Sequence, residues 1–183
     1  MHLAEDDART RILFGDGSAA LLLEGDRRHG IALRSWVVGS DGTGARLFHI
    51  PRGEKTVSMQ GRELFRFASQ KGSEMLGAAC SRAGLSAGEI DCVLIHQANL
   101  RIIECLQQRT GIAPGRWLVN MGGVGNTAAA SVLLALADLL STCQPADGAR
   151  ILLGAFGAGL TWCAAVLEWG AVGQRVQTIS NLQ

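Results

Sequence analysis

Leu94-Ile95-His96-Gln97-Ala98-Asn99-Leu100-Arg101-Ile102-Ile103 changes pattern twice in a short distance. The apolar run that begins at Cys92 carries the backbone inward as a buried strand does. The four residues after Ile95 are His, Gln, Ala and Asn, and a helical period then takes over. A polar cluster at the end of a strand, opening a helix, is a position where sites are built. Further along, Gly122-Gly123-Val124-Gly125-Asn126-Thr127 repeats the device with a glycine-rich turn that ends in a carboxamide and opens a second helix. Two strand-to-helix turns, one presenting an imidazole and one an amide, point toward a single pocket in an α/β fold.

Working outward, residues 60–83 carry apolar side chains (Leu64, Phe65, Ala68, Met75, Leu76, Ala79) on one stripe, so a helix is expected there, closed by Gly84. Ser86 caps a short turn that holds Glu89, and residues 91–95 form the strand that delivers His96. Residues 99–110 read as an amphipathic helix closed by Gly111. A turn at Pro114-Gly115, a short strand over 117–120 and a small-residue helix over 127–141 follow. Ala128-Ala129-Ala130-Ser131 suits close backbone approach and places that helix in the interior. Residues 150–154 and 160–169 are the last strands, joined by a tight turn at Phe156-Gly157-Ala158-Gly159. Upstream, residues 11–24 and 31–38 have strand character, and 39–53 is a surface loop. Alternation of strand and helix from residue 60, ending in two strands joined by a turn, gives a mixed sheet with helices layered on it. The tail, 171–183, shows no pattern.

Composition bounds the function. The chain has 183 residues, 48% of them hydrophobic, enough for a buried core. A net charge of +1 and the lack of a basic block interleaved with aromatics disfavour nucleic-acid binding. The acidic start, with Glu5, Asp6 and Asp7, is unlike a secretory signal. The longest apolar segment, 128–140, is too short to span a bilayer and contains Asp138, so no membrane association is expected. Five cysteines without a CxxC pair indicate reduced thiols and a cytoplasmic setting. Each reads as a buried structural thiol, because none sits at a helix start or beside a base. No metal is expected, since no pair of His or Cys has ligand spacing. The glycine turn at 122–125 lacks the Lys-Ser/Thr of a phosphate loop, and no acidic residue follows in the manner of a dinucleotide site.

Taken singly, the candidate residues have structural readings as good as functional ones. His96 suits a core histidine satisfied by backbone, Asn126 suits a helix N-cap, and Gly157 to Gly159 suit a plain hairpin. Taken in order, however, LFGDGSAA (13–20), SMQGRELFRFA (58–68), IHQANLRII (95–103), NMGGVGNTAAAS (120–131) and GAFGAGLTW (154–162) resemble the β-ketoacyl-acyl-carrier-protein synthase III family. The resemblance spans residues 7–169 and falls on the C-terminal half of that family together with the last strands of its N-terminal half.

The resemblance implies the C-terminal half of a thiolase-like α/β fold, with three segments. Residues 1–57 would hold the terminal strands of the N-terminal half and a connecting loop, 58–170 the C-terminal domain, and 171–183 a tail. It implies a decarboxylating Claisen condensation with acyl-CoA and malonyl-acyl-carrier-protein thioesters as substrates and no cofactor. His96 and Asn126 match the catalytic histidine and asparagine, whose two donors stabilise the enolate left by decarboxylation. The N–H of Ala158 matches an oxyanion-hole donor, with alanine where the family has a glycine. Gly61, Asn99, Gly157 and Gly159 match substrate-binding positions, and Arg66 and Arg101 match positions that dock the acidic carrier protein. The family's nucleophilic cysteine lies in the N-terminal half. The resemblance therefore implies a companion chain or segment carrying that half, and an oligomer. It also implies that the strands over residues 11–38 lack most of their sheet. A non-catalytic carrier-protein-binding or scaffold subunit of a fatty-acid or polyketide assembly is the alternative.

Overall fold

In a computed structural model, which describes residues 8–22 and 30–170, the chain is built around one mixed four-stranded sheet. Its strands are β1 (Ile31–Ser40), β4 (Cys92–Ile95), β5 (Arg150–Gly157) and β6 (Thr161–Trp169), in the order β1-β6-β5-β4. A small separate ribbon pairs β2 (Phe48–His49) with β3 (Ser58–Met59). The central pair β5 and β6 is an antiparallel hairpin, Gly157 opposite Thr161, and β4 runs parallel to β5 with Ile95 opposite Gly154. The helices are α1 (Ala8–Arg11), α2 (Gly61–Arg82), α3 (Leu100–Thr110), α4 (Met121–Val124) and α5 (Ser131–Thr142).

The apolar run of β4 alternates between two cores. Val93 and Ile95 face the layer of α2 and α3, where they meet Leu76, Ile103 and Leu106, all fully buried. Leu94 faces the other layer, where Leu136 of α5, Ile151 and Trp169 enclose it. A strand covered on both faces needs apolar residues at every position, which is why Val-Leu-Ile is continuous rather than alternating. At roughly 1.5–3 kcal/mol for each such side chain, this burial is what holds the end of β4 in place.

The helix limits follow the expected local chemistry. Gly84, just past α2, has φ +71°, and Gly111, which closes α3, has φ +69°, the left-handed conformation that ends a helix. Asn99 caps α3 by accepting the N–H of Arg101 at 2.8 Å. Ser86 and Glu89 form a reciprocal capping box.

Six expectations are corrected. Residues 11–22 are not a strand: Phe14 makes a single bridge to Asn126, the segment after it has no ladder, and Glu24 lies outside the described residues. Strand propensity describes a fit to a pleated, half-buried surface, and Ile12 and Leu22, 80% and 83% exposed, have none beside them. Residues 117–120 are reduced to one bridge between Trp117 and Val93. The helix expected over 127–141 is broken. Asn126 Oδ1 accepts the N–H of Ala128 at 2.9 Å, Ala128 takes φ +50°, and a 3₁₀ turn over Ala128–Ala130 precedes α5. A side chain that captures a nearby backbone N–H competes with the helix in just this way. Ala128 and Ala129 are consequently exposed rather than interior. Independently, Cys143 and Cys163 are exposed rather than buried as expected. Finally, β1 does have a sheet. It pairs along its length with β6, from Ile31 opposite Trp169 to Ser40 opposite Thr161, in the same sheet as the strands after residue 58. Its other edge has no neighbour among the described residues, and Leu33, Trp36 and Val38 are exposed.

Candidate active site

His96 stands where β4 stops pairing: its N–H donates to the Gly154 carbonyl at 2.8 Å, the last rung beside β5. The ring therefore emerges at the carboxyl end of two parallel strands. Nδ1 lies 2.5 Å from Ser131 Oγ at the start of α5, and the edge of the ring meets Phe156, 5.6 Å between centroids. Burial lowers the His96 pKa to about 4, so the imidazole is neutral near pH 7. The histidine is thus held by a hydroxyl and an aromatic ring, not by backbone acceptors.

Gln97, fully buried, locks the turn. Its Nε2 donates to the carbonyls of Ile95 (2.8 Å) and Leu118 (3.2 Å), its Oε1 accepts from the N–H of Asn120, and its own N–H points at Ser131 Oγ, 3.4 Å away. A buried amide with its donors and acceptor satisfied is rigid.

Asn126 arrives from the other turn. Its backbone is clamped on both sides: its N–H donates to Leu13 O (2.9 Å) and its carbonyl accepts from Gly15 N (3.0 Å). The side chain, 7% exposed, spends Oδ1 on the Ala128 N–H and leaves Nδ2 without a protein partner among the described residues. Asn126 is not the helix N-cap expected of it, since Thr127 precedes the 3₁₀ turn and Ala130 precedes α5; its bond to the Ala128 N–H closes a local turn instead and fixes which end of the amide is occupied.

Both side chains line one cavity of about 650 Å³ whose wall is largely apolar. Gly61, Asn99, Gly157 and Ala158 line it as well. The hairpin turn after β5 contributes Ala158, whose backbone N–H has no acceptor among the described residues. Gly159 (φ +132°), Arg66 and Arg101 are not on its wall. Both arginines are exposed and form no ion pair among the described residues. Asn99 both faces the cavity and caps α3, and a side chain placed at Gly61 would meet open space.

Cys163 also lines the cavity from β6. Cys92, half-buried, has its thiol pushed up to about 11 by desolvation, and burial raises Cys80 as well, so neither supplies a thiolate near neutral pH. Among the described residues no cluster of three His, Cys, Asp or Glu is disposed to hold a metal, and no helix is long and apolar enough to cross a membrane.

Ser131, Gln97 and Phe156 were not singled out from sequence, although all three touch or fix His96. For Ser131 a signal existed: it is the one hydroxyl in the run 128–136, where every other residue is apolar.

Comparison with known proteins bears on the family and the fold. Residues 80–169 match the family model of the C-terminal domain of 3-oxoacyl-[acyl-carrier-protein] synthase III. The β-ketoacyl-[acyl-carrier-protein] synthase III of Staphylococcus epidermidis is 37% identical over 164 residues, covering 90% of this chain and 52% of the relative. The crystal structure of the synthase III from Thermus thermophilus superposes with a TM-score of 0.80 at 38% identity, over 92% of this chain and 56% of that one. The synthase III of Pseudomonas aeruginosa PAO1 superposes with a TM-score of 0.83 at 33% identity, over 94% and 55%. The chain spans about half the length of the relatives it matches. By sequence and by its thiolase-like fold, it corresponds to the C-terminal half of the β-ketoacyl-acyl-carrier-protein synthase III family.

Proposed function

We propose that the chain is the enolate-forming part of a synthase III-type acyltransferase, which condenses a malonyl thioester on acyl carrier protein with an acyl thioester. The observation that carries this reading is the division of labour in the two side chains. His96 spends Nδ1 on Ser131 and Asn126 spends Oδ1 on Ala128, so Nε2 and Nδ2 are the atoms left for a guest in the shared cavity.

When the malonyl carboxylate leaves as CO2, the electron pair of the breaking C–C bond passes onto the thioester oxygen. Two N–H donors at that oxygen stabilise the enolate, and each is worth on the order of 10²–10³ in rate. A neutral imidazole suits the task, because it donates a hydrogen bond without protonating the nascent carbanion. The enolate carbon then attacks an acyl group held as a thioester on a cysteine. The oxyanion so formed is received by the Ala158 N–H, and collapse expels the cysteine thiolate. That cysteine is assigned to a companion chain or segment corresponding to the other half of the relatives. Gly61, Asn99 and Gly157 border the path of the thioester arm, Gly159 acts only through the shape of its turn, and the exposed Arg66 and Arg101 meet the acidic carrier.

The test combines this chain with the nucleophile-bearing half of a synthase III and measures β-ketoacyl product from acyl-CoA and malonyl-carrier. His96→Ala abolishes product, and unchanged turnover in that variant would refute the assignment. The two exposed arginines, without an ion pair among the described residues, favour a second reading, a non-catalytic carrier-binding subunit. Salt-sensitive carrier binding lost in Arg101→Glu, with no turnover in any combination, would select it.

A further inference from the structure

We propose that Ser131 is a positioning residue that fixes the tautomer of His96, holding its hydrogen on Nε2 so that the ring presents a donor to the cavity. The inference deepens the reading of His96 as an enolate donor and rests on it for its catalytic meaning, though not for its structural content. A neutral imidazole carries one hydrogen on either of two nitrogens, and only the Nε2–H form can donate to a ligand in the cavity, because Nδ1 is directed at Ser131.

The serine hydroxyl has one hydrogen and two lone pairs. The Gln97 N–H can only donate, so it occupies one lone pair of Oγ. If Nδ1 carried the hydrogen it would occupy the second, and the hydroxyl hydrogen, on a side chain 1% exposed, would face no acceptor among the described residues. With the hydrogen on Nε2, the hydroxyl donates to Nδ1 at 2.5 Å and every group is satisfied. Leaving a buried hydroxyl hydrogen unpaired disfavours the first arrangement by roughly tenfold or more in population. The Gln97 N–H cannot swing away to relieve it, since Gln97 is tied to Ile95, Leu118 and Asn120 through its amide.

The test labels the histidines of the full chain with nitrogen-15 and records the ring-nitrogen resonances of His96, assigned through His96→Gln. The expected spectrum shows Nε2 protonated and Nδ1 bare, displaced from the free-acceptor position by an accepted hydrogen bond. Ser131→Ala moves the Nδ1 resonance to the free-acceptor position, and Ser131→Thr, which keeps the hydroxyl, restores it. In the reconstituted condensation, Ser131→Ala lowers kcat roughly tenfold with KM for the malonyl thioester held. Protonated Nδ1 in the wild-type chain, a result that requires no variant to fold, overturns the proposal. So does a folded Ser131→Ala protein whose His96 resonances do not move. If the spectra behave as expected while His96→Ala leaves condensation intact, the enolate role fails and the tautomer assignment stands.

Discussion

Replacing Gly15 with alanine tests the claim that a backbone clamp, rather than helix geometry, sets the position of Asn126. A Cβ built on Gly15 lies 1.9 Å from the Val124 carbonyl oxygen and 3.0 Å from its carbon. Carbon and oxygen approach to roughly 3.3 Å at closest, so the two backbones must part by more than an ångström. Gly15 is not among the residues with positive φ, so alanine has no dihedral penalty and the contact alone changes. Parting the segments breaks or stretches the Gly15–Asn126 and Asn126–Leu13 hydrogen bonds, each worth about 1 kcal/mol net. A destabilisation of about 2–3 kcal/mol follows, within the range seen when cores are overpacked. For a chain of this size, that lowers the midpoint of thermal unfolding by roughly 5–10 °C. Gly61→Ala is the control, because its Cβ meets nothing and alanine is preferred in the first turn of a helix. Calorimetry gives the stability, and the side-chain amide resonances of Asn126 report its displacement. In the reconstituted reaction, a misplacement of about an ångström costs on the order of 100-fold. A Gly15→Ala protein that melts with the wild type, its Asn126 amide unshifted, would refute the clamp.

Asn126→Asp keeps the acceptor for the Ala128 N–H and replaces the free NH2 by an oxygen; the fold is expected to survive while turnover falls by on the order of 10²–10³, read as near-UV circular dichroism against product formation. The depressed His96 pKa carries a sign: between the unfolded value of 6.5 and about 4 the unfolded chain binds the extra proton, so stability is full above pH 6.5 and is lost as pH falls toward 4. The loss amounts to about 3 kcal/mol at most and disappears in His96→Gln, as urea midpoints between pH 4.5 and 7.5 will show. Gly61→Trp fills open space on the cavity wall, so the melting temperature stays within a few degrees while KM for the thioester substrates rises at least tenfold. An unchanged KM would remove Gly61 from the substrate path.

How far the sequence reaches is visible in particular elements. Helix α3 was readable in full, because its cap Asn99, its apolar stripe and its closing Gly111 are local decisions made within a dozen residues. Strand β4 was readable for the same reason, its continuous apolar run stating that both faces are covered. Residues 11–22 were misread because strand character describes a side chain's suitability for a sheet and not whether a sheet is there. The break at Ala128 escaped because it depends on where one amide oxygen turns.

The site divides along the same line. His96 lies at the end of a strand and Asn126 at the end of a glycine-rich turn, and the order of the motifs tied them to one family. The sequence by itself thus determined the family and the elements from α2 to α3 and β5 to β6, and it singled out the two polar groups. Only the tertiary structure decided which atom of each group is free. That choice rests on contacts between residues far apart in the chain, Ser131 with His96 and Leu13 and Gly15 with Asn126. A hydrogen bond of this kind is short-ranged and directional, so it exists only once packing of the sheet and α5 has brought its partners within about 3 Å.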